Sequence, residues 1–267
     1  MQEEERARAI DAAQLSLRGV SLRFGGIVAL DQVSFDIPPG RVVGLIGPNG
    51  AGKTTLFNCI TRLYPVDAGS IRLEHHELTS LPAHAIAALG VSRTFQNLAL
   101  FRSLSVRENI MLGGHATTRS GFFRNALRLP LVRREEAGLR THADELLEQL
   151  DLRAVADHPA AGLPMPVQKR VELARALAAR PRLLLLDEPA GGLNHEDVVG
   201  LGQLVRDLSR RLGLTVLLVE HHMNLVMGIS DYVVVLNFGS VIAQGPPAQV
   251  QRDAEVIRAY LGDRRAA

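Results

Sequence analysis

The residues with the most legible chemistry lie together at 47–55. Gly47-Pro48-Asn49-Gly50-Ala51-Gly52-Lys53-Thr54, with Thr55 behind it, fits the pattern G-x-x-x-x-G-K-[ST]. Small residues let successive backbone N–H groups close around a polyphosphate, and a helix starting at Lys53 adds the positive end of its dipole. Lys53 supplies a compact positive charge to the β- and γ-phosphates, and the Thr54 hydroxyl can ligate Mg2+. The chemistry implied is binding of a nucleoside triphosphate. Guanine reading by N-K-x-D is excluded, because the only other lysine, Lys169, follows Gln168 and stands two places before Val171.

A second constellation is Leu183-Leu184-Leu185-Leu186-Asp187-Glu188, an apolar strand ending in two carboxylates. Asp187, at the strand's end, is placed to hold the shell of a Mg2+ ion. Glu188, pointing the other way, can polarise an attacking water as a general base. An acidic turn after a buried strand is the plain alternative for two such residues alone; the phosphate-loop pattern elsewhere in the chain weighs against it.

These residues need elements to position them. Val42–Ile46 is a continuous apolar run, as in a strand covered on both faces, and it leads through the glycine loop into a helix expected over Lys53–Leu63. Before it come β-like stretches, Leu15–Val20 and Val33–Ile37, separated by Gly25-Gly26 and closed by Pro38-Pro39-Gly40. Strand signals return at Leu183–Leu186, Thr215–Val219 and Tyr232–Leu236. Between about 97 and 163 such runs are missing; helical patterns (Val106–Leu112, Arg140–Leu150) flank an Arg-rich, turn-broken piece, Thr118–Arg134. The expected class is α/β, a mostly parallel sheet with an antiparallel N-terminal part and an inserted helical subdomain. The expected divisions are a polar tail at 1–13, a core of 14–96 and 164–262, a helical subdomain at 97–163 and a tail at 263–267.

Composition bounds the rest. The chain has 267 residues, 46% hydrophobic and 22% charged, which excludes wholesale disorder. A net charge of +2 gives no electrostatic footprint for nucleic acid, and no such partner is expected. Cys59, the single cysteine, excludes an internal disulfide and fits a reducing cytosol. No apolar run nears the roughly 18 residues of a membrane span, and MQEEERARAI lacks the apolar core of a secretory signal.

The set GPNGAGKTT, RTFQ, VELARAL, LLLLDEPAGGLN and LLVEHHM, in that order from about Leu15 to Gly262, resembles an ABC-type ATPase cassette. RTFQNLALF, TRSGFFRNALRLPLVRREE, LVEHHMNLVMGISD and VIRAYLGD resemble, within that superfamily, the ATPase subunits of branched-chain amino-acid importers and their urea and amide relatives. The resemblance implies ATP and Mg2+ as cofactors, two transmembrane permease subunits and a second cassette as partners, and indirectly a solute-binding protein. It also implies a peripheral place on the cytoplasmic face of the inner membrane. It assigns Phe24 to stack on adenine, where tyrosine is more usual. Gln96 becomes the lid residue reaching Mg2+ and the attacking water, and His221 the switch histidine at the γ-phosphate. Gly191-Gly192-Leu193-Asn194 becomes a turn that contacts the second cassette; His222 receives no role. Leu98, Leu100 and Phe101 would dock a membrane subunit's coupling helix, or else be buried.

One motif departs from the pattern. Where such cassettes carry LSGGQ, this chain has Leu163-Pro164-Met165-Pro166-Val167, ahead of a helix expected over Gln168–Ala179. Pro164 has no hydroxyl and Pro166 no N–H, so two donors to the partner's γ-phosphate are missing. Since the chain's own phosphate loop and carboxylates are intact, a heterodimer with a sound second cassette is expected. The alternatives are a soluble ABC ATPase acting on ribosomes or DNA, and a nucleotide-binding regulatory subunit that scarcely hydrolyses. His75, His76 and His115 are expected at the surface. The Arg-rich stretch Arg119–Arg140 is expected either as a solvated helix face or against lipid headgroups.

Overall fold

The computed structural model describes residues 14–94, 99–115 and 130–262. β1 (Leu15–Phe24) and β2 (Ile27–Ile37) form a long antiparallel hairpin, extending the expected strands right up to the Gly25-Gly26 turn. β3 (Val42–Ile46) runs into the glycine loop and α1 (Lys53–Ile60), which stops three residues before the expected Leu63 because Arg62 takes a left-handed conformation. β4 (Ala68–Leu73) and β5 (His76–Glu77) complete a four-stranded antiparallel sheet ordered β2-β1-β4-β5. After α2 (Ala83–Ala88), β6 (Val91–Arg93) joins the second sheet.

The helices that follow are α3 (Val106–Gly114), α4 (Pro130–Gln149) and α5 (Met165–Leu177). Then come β7 (Leu183–Asp187), α6 (His195–Leu212), β8 (Thr215–Val219), α7 (Met223–Ile229), β9 (Tyr232–Asn237) and β10 (Ser240–Gly245). α8 (Pro247–Val250) and α9 (Ala254–Gly262) close the described chain. The second sheet is ordered β10-β9-β3-β8-β7-β6, parallel except for β10.

The unbroken aliphatic runs have a direct explanation, since successive strand residues face opposite ways and both faces are buried. Val43, Leu45, Leu183, Leu185, Leu217, Val219, Val234 and Leu236 join the antiparallel sheet and α1 in one core. Val42, Ile46, Leu184, Leu186, Val216, Leu218, Val233 and Val235 join the helices in the other. Asp187, two residues after Leu185, inherits the parity of the α1 side. The parallel strands all end at one edge, which is where the phosphate loop, Asp187 and residues 220–222 are gathered.

Asn109, fully buried, organises the loop before α3: its Oδ1 accepts from the Phe101 N–H (2.9 Å) and its Nδ2 donates to the carbonyls of Phe101 (3.0 Å) and Ser105 (2.9 Å). That holds Phe101 57% exposed, while Leu100 packs on the core. Leu98 lies outside the described residues.

α3 meets α5 backbone to backbone. A Cβ on Gly113 would stand 1.9 Å from the Arg175 carbonyl oxygen, and one on Gly114 2.6 Å from Leu139 Cδ2. Gly113→Ala gains about 1 kcal/mol of helix propensity, but the clash is with a helix backbone that cannot swing aside. Overpacking of about 1–3 kcal/mol wins, so chemical denaturation is expected to show a less stable protein. A variant as stable as the parent would mean the helices separate freely.

Candidate functional site

The loop between β3 and α1 is shaped by its glycines. Gly47 has φ 154, and a Cβ there would lie 2.1 Å from the Leu236 carbonyl; Gly52 has φ 102, and its Cβ would meet the Ala29 carbonyl at 2.7 Å. Only glycine fits either place. Gly50 (φ 77) has open space around it, so there the need is conformational alone. Ala51 is buried, and its carbonyl accepts from the Gly239 N–H (3.0 Å), pinning the loop to the β9–β10 turn. Pro48 and Asn49 form the outer rim, Thr54 is exposed and Thr55 half-buried.

Lys53 Nζ donates to the carbonyls of Gly47 (2.7 Å) and Pro48 (2.9 Å), arching over the loop. Burial pushes its ammonium below the ordinary 10.5, partly offset by the charges of Glu188 and Asp187. A triphosphate is bound by the charged form. Affinity is therefore expected to be level through neutral pH and to fall as pH rises through that lowered value. In the empty protein the shift costs stability at neutral pH, and the cost is relieved as pH climbs from the lowered value to 10.5. Nucleotide titrations across alkaline pH check this; an alkaline midpoint at or above 10.5 would contradict it.

Asp187 is 2% exposed. Its Oδ2 accepts from Arg93 Nη2 at 2.7 Å, and its buried Oδ1 has no hydrogen-bond partner among the described residues. An anionic oxygen left this way suits a hard divalent cation or its water shell.

Glu188 adopts φ 49 and its N–H donates to the Val219 carbonyl (2.9 Å). A non-glycine residue held left-handed at a strand end marks a conformation imposed by its surroundings. That turn brings Glu188 Oε1 to 2.7 Å from His221 Nε2. Two residues with acid–base chemistry thus meet at the open edge, His221 half-exposed and Glu188 less so.

The backbone around this pair is clamped by Glu220, buried at 2% exposure. Its Oε1 accepts from the Ala190 N–H (2.7 Å) and its Oε2 from the N–H groups of His221 (2.9 Å) and His222 (3.3 Å). Sequence inspection missed Glu220 and Arg93. The available signals were a carboxylate ending the apolar run Leu214–Val219 and an arginine ending β6. Asn194, in the turn after Asp187-Glu188, uses its side-chain oxygen to cap α6 by accepting from the Asp197 N–H (2.9 Å).

Phe24 ends β1, 46% exposed, with its ring edge-on to Tyr64 at 5.2 Å between centroids and 76° between planes. Its hairpin partner strand also carries Ala29, the neighbour that forces glycine at 52, so this end of the hairpin lies near the loop. Gln96 lies outside the described residues. Cys59 is buried in α1, where desolvation raises its thiol to about 11 and disfavours the reactive thiolate.

α5 begins at Met165, three residues before the expected Gln168. Pro164 is its N-cap and Pro166 sits in its first turn, with the N–H groups of Val167 and Gln168 both donating to the Pro164 carbonyl (3.0 Å each). The sequence alone offers no local reason for Pro166; the fold supplies one. Proline's fixed φ suits a first helical turn, where its N–H would have lacked an intrahelical acceptor anyway. Conformational fitness does not restore the donor, and Met165 alone is left to offer a backbone N–H at this helix end.

Comparison with known proteins agrees with this geometry. The family described as "ABC transporter" matches residues 30–191, and the one described as "Branched-chain amino acid ATP-binding cassette transporter" matches residues 240–266. The chain is 43% identical over 249 residues to the Escherichia coli K12 high-affinity branched-chain amino acid transport ATP-binding protein LivG, covering 93% of this chain and 98% of that one. It superposes on a nucleotide-free ATP-binding cassette from an ABC transporter with a TM-score of 0.80 at 29% identity, covering 93% and 98% of the two chains. A dimeric post-hydrolysis cassette, MJ0796 bound to ADP and Pi, gives 0.72 at 26% identity, covering 87% and 98%.

Proposed function

This chain belongs to the ABC transporter ATP-binding family, and from that premise we propose that it energises import of branched-chain amino acids or related small polar solutes. The observation that carries the solute class is the 43% identity to LivG across nearly the full length of both chains. The C-terminal match at 240–266 supports it. That segment includes α9, whose Glu255, Arg258 and Ala259 line one cavity with Pro48, Asn49 and Ala51. The family-specific end of the chain therefore lies against the phosphate loop.

In this reading residues 47–55 wrap the phosphates of ATP, Lys53 leaves its two carbonyls for the β- and γ-phosphates, and Phe24 faces the adenine. Mg2+, when bound, would neutralise developing charge; Thr54 and Asp187 Oδ1 are the groups that would hold it or its waters, and Gln96, outside the described residues, takes the lid role that the family resemblance assigns to it. Glu188 takes the proton of the attacking water. His221, 2.7 Å from Glu188, keeps that carboxylate oriented and contacts the γ-phosphate. ATP closes two cassettes on each other, closure shifts a membrane pair between access states, and hydrolysis resets them.

The cassette pair is a heterodimer. Pro164 and Pro166 weaken the site this chain offers its partner's ATP, while its own catalytic groups are complete. Phe101, held outward by Asn109, meets the permease. Among the described residues no helix is long and apolar enough to cross a membrane, so attachment to the inner membrane's cytoplasmic face runs through those subunits.

The test is purification of the tagged chain from membranes in mild detergent, with identification of what accompanies it. A second, different cassette and two membrane subunits are expected. Recovery without membrane subunits would overturn the transport role, and a complex containing only this cassette would overturn the heterodimer.

A further inference from the structure

Arg93 joins two elements that no backbone hydrogen bond connects. Its Nη2 donates to Asp187 Oδ2 at 2.7 Å and its Nη1 to Asn58 Oδ1 at 2.7 Å, while its guanidinium carbon lies 5.4 Å from the centre of the Phe57 ring. The Arg93 and Asp187 side chains are 9% and 3% exposed, so the pair is shielded from solvent. Asn58 is one helical turn after Thr54 on α1. The guanidinium thus spans from the helix that carries Thr54 to the strand that carries Asp187. Its planar fork can hold two acceptors in fixed directions at once, which an ammonium on a flexible stem does not do.

The two oxygens of Asp187 are unequally used. Arg93 takes Oδ2, and Oδ1 is buried with no hydrogen-bond partner among the described residues. Holding one oxygen by a charge-assisted bond fixes where the other points. Thr54 and Asp187 would then approach a cation with a separation set by the rest of the fold rather than by the cation itself.

We propose that Arg93 is a positioning residue: it is a strut between α1 and β7 that orients Asp187 and presets the spacing of the cation site. The inference rests on the reading of Asp187 as the cation-facing carboxylate. Partners that orient a metal's carboxylates typically account for 10–100-fold in metal affinity or activity.

The test reads nucleotide binding, separately from turnover. ATP binding to the purified full chain is titrated in chelator and then with increasing Mg2+, for the parent, Arg93→Gln, Arg93→Lys and Asn58→Ala. For Arg93→Gln the Mg2+ concentration giving half the metal-dependent gain is expected to rise about 10–100-fold, with affinity in chelator unchanged within about twofold. Arg93→Lys keeps a charge beside Asp187 but cannot span to Asn58, and Asn58→Ala removes the other footing; both are expected to show smaller rises of the same kind. If Arg93→Gln fails to fold, these two variants decide. A purely structural role would lower the melting temperature and leave the Mg2+ requirement unmoved; folded variants behaving so would overturn the strut. A parent that gains nothing from Mg2+ would instead overturn the reading of Asp187.

Discussion

Glu188→Gln is expected to lower ATP turnover about 10²–10⁴-fold while leaving ATP affinity within about threefold of the parent. The amide is nearly isosteric and can still bond His221 across the 2.7 Å contact, so the strained turn at Glu188 (φ 49) keeps its shape. What disappears is the charge that accepts a proton from water. Phosphate release by the assembled complex measures the loss, and ATP binding measures what is retained. A fall of less than about tenfold would move the proton-accepting role away from Glu188. His221→Ala offers a cross-check. Residues acting as a unit are grossly non-additive, so the double variant should be scarcely slower than Glu188→Gln alone. Losses that multiply would mean the pair acts independently.

The second large effect is a gain. Restoring both donors with Pro164→Ser and Pro166→Gly is expected to raise turnover of the isolated chain by on the order of 10²-fold, since a donor aimed at developing charge is worth that much in rate. The parent chain alone would place the same defect in both sites of a homodimer. With the partner cassette present the gain should be confined to the partner's nucleotide. Removing prolines that suit their positions costs about 0.4–1 kcal/mol each through the unfolded chain, so a modest drop in stability accompanies the gain. If the parent chain hydrolyses ATP briskly alone and the double variant adds nothing, the heterodimer proposal falls.

Much of the fold was legible because its inner strands are buried on both faces, which leaves runs such as Leu183–Leu186 with no polar interruption. The phosphate loop and the Asp187-Glu188 pair were legible for a related reason: their chemistry is local, carried by neighbours in sequence. Arg93 and Glu220 were not. Arg93 meets Asn58 and Asp187 across 35 and 94 positions of chain, and Glu220 meets Ala190 across 30. A charged residue ending a strand looks the same in sequence whether it faces solvent or a buried partner. Two helices begin earlier than the sequence pattern suggests, because a first turn need not carry the apolar periodicity that marks a helix. Pro166 lies inside the first turn of α5, and Pro130 begins α4 ten residues ahead of the expected Arg140.

The backbone contact between α3 and α5 has a mechanical meaning. Near its C-terminal end α5 presses Arg175 against Gly113, and the Arg175 guanidinium donates to the Ala99 carbonyl, two residues from Phe101. Its other end, at Met165, faces the partner cassette in the proposed assembly. Thirteen residues at about 1.5 Å each make a rod about 20 Å long, so each degree of tilt at one end moves the other by about 0.3 Å. A joint of glycine hydrogen against carbonyl oxygen has no rotamer through which to slip. A displacement at the Gly113 contact would therefore reach Met165 as a rigid tilt of the helix.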